Sequence, residues 1–274
     1  MTKSRYPAFP YLLFMAIFIV VPLLMVAYFA FTTSNGGFTL QNIERVQVYM
    51  PVIVKSLFLA MVATVICLVL GYPFAYIMAK KTTNIRRTMF MLIMLPMWMN
   101  FLLRTYAWMT ILENNGLLNR LLGFFGFGPY EFINTQGAVV LGMVYDYLPF
   151  MIVPLYTVLM KMDNSLINAA QDLGASPMQV FMRVVFPLSM PGVNTGITMV
   201  FIPSVSTFII SRMLGGGSEL MIGDLIEMQF TGNAYNPNLG AAISFVLMII
   251  ILLCMGVMNQ FDSNESEKEG RVII

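Results

Sequence analysis

The residues able to do chemistry are few. Asp146 is the one acid deep inside an apolar run, and it is flanked by Tyr145 and Tyr147. An acid between two aromatic faces suits a cation, because ammonium groups bind carboxylates and pack over rings. An intramembrane acid is itself a functional-site signal. A second reading stands beside it, in which Asp146 neutralises Arg104, the one cation within another apolar run. By rise per residue Asp146 lies roughly 7 Å deeper than Arg104, a gap a long arginine side chain covers. Asn100, Arg104 and Trp108 are spaced four apart and share a helix face. Arg104 would repel a cationic ligand, so it reads as an architectural or gating residue. Tyr106 and Trp108 read either as part of a substrate path or as an interfacial aromatic belt. Glu219, Asp224 and Glu227 cluster near the other end of the chain, where they would concentrate cations, dock a binding protein or simply face solvent.

Much chemistry is excluded. The chain has no histidine, so no imidazole base and no HExxH metal site. Cys67 and Cys254 both sit in apolar runs, which suggests packing rather than a disulfide or metal. No G-x-x-x-x-G-K-[ST] run occurs, so the chain offers no phosphate-binding loop of its own.

The elements that must position these residues are membrane helices. The 274 residues are 58% hydrophobic and 10% charged, with a mean hydropathy of +0.79. Soluble domains carry about 25% charged residues. Apolar runs long enough to cross a bilayer recur, and six spans are expected at about 9–31, 56–79, 88–111, 137–160, 188–211 and 238–258. The first run is too long for a signal-peptide core and reads as a retained span. Pro22, Pro73, Pro96, Pro149 and Pro203 fall within spans and mark kinks. The expected fold is all-α, one polytopic transmembrane domain over 1–274, with a polar tail at 262–274 that composition marks as disordered.

Orientation follows the lysines and arginines. With the N-terminus inside, Lys3, Arg5, Lys80, Lys81, Arg86, Arg87, Lys161, Arg183, Lys268 and Arg271 are cytoplasmic, ten in all; Arg45, Lys55, Arg120 and Arg212, four, lie outside. Both termini are therefore expected in the cytoplasm, together with a loop at 161–187. The outer connections at about 32–55, 112–136 and 212–237 are long, and the run LMIGDLIEMQF (220–230) in the last suits a short interfacial or re-entrant helix.

The inner loop is built rather than slack. Asp163, Asn164 or Ser165 can cap a helix that ends at Gly174, placed where a left-handed residue closes a helix. Ser176, Pro177 and Gln179 then form an N-cap, N1 and N3 series, the pattern of a capping box. Val180, Phe181, Val184 and Val185 supply the apolar side of the next helix. Two short helices meeting at a glycine corner suit docking to another protein, or a segment lying flat on the membrane.

The stretch NAAQDLGASPMQVFMRVVFPLSMPG (168–192) resembles the EAA motif of ABC-importer permeases. Ala169, Ala170, Gly174, Ala175 and Pro187 match in place and spacing; Asn168 stands where the family usually has glutamate. LVLGYPFAYIMAK (68–80), LPMWMNFLLRTYAWMTIL (95–112) and GMVYDYLPFMIVPLY (142–156), in the same order, resemble the spermidine/putrescine-type permeases. The resemblance implies a type I ABC-importer permease fold and no chemistry in this chain. It implies that Asn168, Ala169, Ala170, Asp172, Gly174, Ala175, Phe181 and Pro187 meet an ATPase subunit, which alone holds ATP and Mg. One docking loop per chain against two ATPases implies a second, similar permease subunit, and a soluble binding protein delivers the polyamine. Asp172, one turn after Asn168, offers a replacement charge. Another importer substrate and, as a rival class, an ion-coupled secondary transporter complete the alternatives; the latter would act alone and show inverted repeats.

Overall fold

The computed structural model describes residues 9–271 apart from 34, 218 and 233. Among them the chain is helical, with a lone antiparallel bridge between Thr32 and Phe38. Helix α1 covers Pro10–Ala30 and contains a π-helical turn at Ala16–Val20. After a short helical stretch, Gln41–Val46, come α2 (Met50–Lys80), α3 (Thr83–Met94), α4 (Phe101–Leu112) and α5 (Leu117–Phe124). They are followed by α6 (Gln136–Lys161), α7 (Asn164–Asp172), α8 (Pro177–Val180) and α9 (Met190–Ser206). Helices α10 (Ile209–Leu214), α11 (Ile222–Thr231) and α12 (Pro237–Arg271) complete the order.

The centre is α2, α6 and α9 packed on one another, with α12 laid against α1. Three apolar clusters stack along this core. Cys67, Tyr72, Met78, Met151, Leu155 and Val185 fill one end. Leu59, Val139, Met143, Ile210 and Leu214 fill the middle flank, and Ile53, Ile222, Ala242 and Ile243 join α2, α11 and α12. Small residues permit the close approaches: Ala60, Ala63 and Ala75 on α2 are fully buried. Outward faces are apolar, as on α1, where Leu12, Phe18 and Leu24 are exposed. In water such a surface would be an aggregation hazard, but in lipid it is a solvated one.

Four helices are long and apolar enough to cross a membrane, and six spans result if each of two bent pairs counts as one. The span expected at 88–111 is bent more sharply than a proline kink: Thr83–Trp98 and Phe101–Phe124 meet at 89°. Pro96 falls in a 3-10 turn, Leu95–Trp98, and Met99 is extended. The Asn100 side-chain carbonyl then accepts from the amides of Leu102 (2.8 Å) and Leu103 (3.4 Å), so a new helix starts with satisfied amides. The span at 188–211 is likewise divided: Pro177–Leu188 meets Met190–Ser206 at 61°, and Thr207 is extended before α10. At the 61° bend the Ser189 hydroxyl lies 2.8 Å from the Tyr72 hydroxyl, both buried. Pro73, Pro149 and Pro203 stay inside their helices. The tail differs from expectation too, since α12 runs on through 262–271; Glu265, Glu267, Lys268 and Glu269 are good helix formers. Residues 272–274 lie outside the described residues.

The loop 161–187 has the two-helix form that its caps foretold. The Asp163 carboxylate accepts from the Ser165 amide at 2.9 Å, and its titration is lowered by that bond. Gly174 has φ +81°, and Ala175 N–H donates to the Ala170 carbonyl (3.1 Å) while Gly174 N–H donates to that of Gln171 (2.8 Å). Those two bonds are a Schellman closure. Ser176 and Gln179 exchange both bonds of the capping box, at 2.8 and 3.4 Å. Gly174→Ala meets no steric neighbour, only an unfavourable dihedral; it should cost about 1 kcal/mol locally, as should Ser176→Ala. Hydrogen exchange at the amides of residues 174–180 should then quicken roughly fivefold, while Gly174→Asn should change it less.

Candidate functional site

At the junction of α4 and α6, Arg104 Nη1 lies 3.2 Å from Asp146 Oδ1. The side chains are 8% and 2% exposed, so the pair is withdrawn from water. The bend at Asn100 makes this possible, because it starts α4 alongside α6 instead of continuing the line of α3. Arg104 Nε and Nη1 and Asp146 Oδ1 have no hydrogen-bond partner of good geometry. The pair is therefore an ionic contact with few of the extra bonds that lock a buried ion pair in place, Thr105 being the side chain that supports Asp146. The structural alternative for Asp146 is thus realised in this conformation.

The aromatic neighbours divide. Trp108 stacks edge-on against Tyr145 with ring centroids 5.4 Å apart, tying α4 to α6 one turn beyond the ion pair. Both line an open groove of about 760 Å³ bounded by α2 and α6, with Phe58, Val62 and Val144 on its walls. The Tyr147 hydroxyl instead donates to the Pro203 carbonyl on α9 (3.4 Å). Asn100 is spent as a helix cap, and Tyr106 is 56% exposed, outside the groove. Of the expected path residues, Tyr145 and Trp108 line this groove, whereas Asp146 and Tyr147 do not.

The acids Glu219, Asp224 and Glu227 are held rather than free. Arg212 on α10 pairs with Glu227 and lies 3.8 Å from Asp224, both on α11. Asp224 is 1% exposed; its Oδ2 accepts from the Ser211 hydroxyl (2.6 Å) and the Met221 amide (3.0 Å). Glu219 pairs with Lys55 of α2. The segment 220–230 packs into the bundle, where the Ile222 amide donates to Ser56 Oγ at 2.8 Å. Sequence reading counted Lys55 and Arg212 only as outer charges; their roles as partners needed the fold. The Ser56 and Tyr72 bonds had no sequence signal, since each joins residues more than a hundred positions apart.

On the loop, Asn168, Ala169, Asp172, Gly174 and Pro187 are exposed, and Leu173 is 89% exposed. Ala170 and Ala175 are half-buried against the bundle. Phe181, expected on the docking surface, is half-buried, and its ring packs against Tyr72 at 5.7 Å and Tyr76 at 5.5 Å. The reason is its helix face, which it shares with Val184 and Val185.

Comparison with known proteins gives this arrangement a family. Residues 71–264, which include the loop and the Arg104–Asp146 pair, match the model for the binding-protein-dependent transport system inner membrane component. The chain belongs to that family. The permease is similar to the spermidine/putrescine transport system permease protein PotB of Escherichia coli (strain K12), 39% identical over 254 residues, covering 89% of this chain and 90% of that one. It is 37% identical over 250 residues to PotB of Haemophilus influenzae, covering 88% and 87%. Its fold is that of a chain in the crystal structure of a bacterial ABC transporter that imports the acidic polysaccharide alginate, with a TM-score of 0.79, 14% identity and 93% of each chain covered. The permease is thus a multi-pass inner-membrane component of an ABC importer.

Two outcomes follow for the permease. Arg104→Ala or Asp146→Ala strands a buried charge and should cost about 3–5 kcal/mol, whereas Arg104→Leu combined with Asp146→Leu should recover most of it; thermal midpoints in detergent measure the cycle. Between α10 and α11, the Arg212 hydrogen bond holds Glu227 below the ordinary glutamate range. Stability from that bond is complete above about pH 4.3 and is lost as pH falls through the lowered folded value. Burial raises the Asp224 carboxyl, so its ionisation works in the opposite sense as pH rises. Glu227→Gln should therefore flatten the acid limb of a midpoint-against-pH series.

Proposed function

We propose that the permease is one of two similar membrane subunits of an ATP-driven importer whose cargo is a polyamine of the spermidine or putrescine class. The observation that carries the cargo is the identity of 39% along nearly the whole length of relatives named for spermidine and putrescine. In this reading a soluble binding protein delivers the polyamine at the outer face. The ATPase dimer, which holds ATP and Mg, drives the change of access from the cytoplasm, where both termini lie. The permease makes and breaks no bond of its cargo.

Docking to the ATPase falls to the exposed part of the loop: Asn168, Ala169, Asp172, Gly174 and Pro187, with Leu173 as an apolar anchor. Its support is the matched spacing together with a rigid Schellman corner and capping box. A pre-shaped element passes movement on without first losing conformational entropy. Ala170 and Ala175 serve it from beneath, by seating α7 on the bundle.

Tyr145 and Trp108 offer ring faces to ammonium groups, each contact contributing about 0.5–2 kcal/mol. Asp146 serves the same path by exchanging its Arg104 partner for a cargo ammonium; the shortage of supporting hydrogen bonds around the pair favours such an exchange. Glu219, Asp224 and Glu227 shape the outer mouth through their cationic partners.

Proteoliposomes holding both permease subunits, the ATPase and the binding protein test the reading. Uptake of labelled spermidine should require ATP, and uptake by this chain alone would overturn the ATPase-driven mechanism. Asp146→Asn should reduce uptake roughly tenfold or more with assembly intact. If Asp146 only anchors Arg104, adding Arg104→Gln would restore transport; a double variant that stays inactive supports contact with the cargo. Asn168→Glu adds a charge to the loop and should strengthen a contact with an ATPase cation, since charged hydrogen bonds are about twice as strong as neutral ones. Unchanged coupling of ATP hydrolysis to uptake would show that the charge does not matter.

A further inference from the structure

A second cavity, of about 420 Å³, lies where the ends of α2 and α6 meet the starts of α3 and α7. That volume falls within the range of ligand sites. Lys80 and Arg86 stand at its walls, Tyr76 and Asn164 add a hydroxyl and an amide, and Leu159 and Val185 form a buried apolar floor. No carboxylate lines it. Among the described residues neither cation has an acidic partner, for the ion pairs employ Lys55, Arg104 and Arg212. Lys80 Nζ rests 4.1 Å from the centre of the Tyr76 ring, and one Arg86 nitrogen donates to Thr83 Oγ1 at 3.3 Å. Asp163, next in sequence to the lining residue Asn164, is engaged at the Ser165 amide.

Two unpaired cations converging on a polar recess with an apolar floor are the chemistry of a phosphate ester carrying an apolar stem. We propose that this recess binds the phosphate headgroup of an anionic phospholipid from the adjoining leaflet. Arg86 presents a planar fork to the phosphate, and Lys80, preplaced on Tyr76, supplies a point charge. Met160, which lines the recess and is 42% exposed, continues it towards the lipid side. Asn164 and Ile167 of α7 form part of the wall, so a bound headgroup would tie the loop to the ends of α2 and α3. The assignment rests on this end of the bundle lying at a membrane face and is independent of the amine cargo.

The test is a titration of fluorescent phosphatidylglycerol into the purified full chain in detergent, with phosphatidylcholine as the net-neutral lipid and inorganic phosphate as competitor. Phosphatidylglycerol should bind at least about tenfold more tightly than phosphatidylcholine, and Lys80→Gln with Arg86→Gln should abolish that preference. Lys81→Gln with Arg87→Gln removes two neighbouring cations that do not line the recess, and should change affinity less than about twofold. Equal losses from both pairs would reveal diffuse surface charge and overturn the site, as would no loss from the first pair. Displacement of the lipid by low-millimolar inorganic phosphate would assign the recess to a soluble anion and overturn the lipid source. Should the first pair lower the thermal midpoint without lipid, the exposed Lys80→Gln alone carries the test, with an expected loss of about threefold.

Discussion

In hydrocarbon a backbone amide has no water to turn to, so each must find its partner within the protein. The whole architecture of the permease answers to that constraint. Helices satisfy it automatically, and wherever this chain stops being helical inside an apolar region a side chain or a neighbouring helix meets the deficit. Asn100 caps the helix that restarts after Met99. The Ser189 hydroxyl donates to the Phe186 carbonyl at the second bend. Ser56 takes the amide of Ile222 where α11 enters the bundle. The breaks are thus supported places at which the path of the chain can turn.

The turn at Asn100 has the largest consequence. It carries Arg104 to Asp146 and Trp108 to Tyr145, so two polar residues that would be costly alone become one neutral unit with an aromatic pair beside it. A buried charge pair adds little net stability against an apolar alternative, which makes its cost easier to understand in a transporter than in a static scaffold. Its neighbours leave three polar atoms without good hydrogen bonds, the condition under which partner exchange is least expensive.

At the two ends of the core the same economy appears with different chemistry. At one end, Arg212 pairs with two acids and Lys55 with a third, which fastens α10 to α11 and α2 to the loop between them. At the other, the loop is fastened by backbone caps and by Phe181 wedged between Tyr72 and Tyr76, leaving its polar face open. Cations there are left unpaired, and Lys80 rests on an aromatic ring instead of an acid. One end has its charges paired within the chain, and the other is prepared for something outside it.

The sequence by itself determined what depends on neighbours along the chain. Hydropathy runs marked every apolar helix, and Asp163, Gly174, Ser176 and Gln179 marked the loop's corners, because caps and left-handed closures are contacts within a few residues. It also singled out Asp146 and Arg104, since charge in an apolar run is rare enough to notice. Only the tertiary structure decided that Asp146 pairs with Arg104 here, that Phe181 packs on Tyr72 and Tyr76, that the third and fifth expected spans are bent or divided, and that Glu219, Asp224 and Glu227 are paired. Each of these turns on a helix direction or a contact across tens to hundreds of residues, and such contacts leave no periodic trace in the chain that makes them.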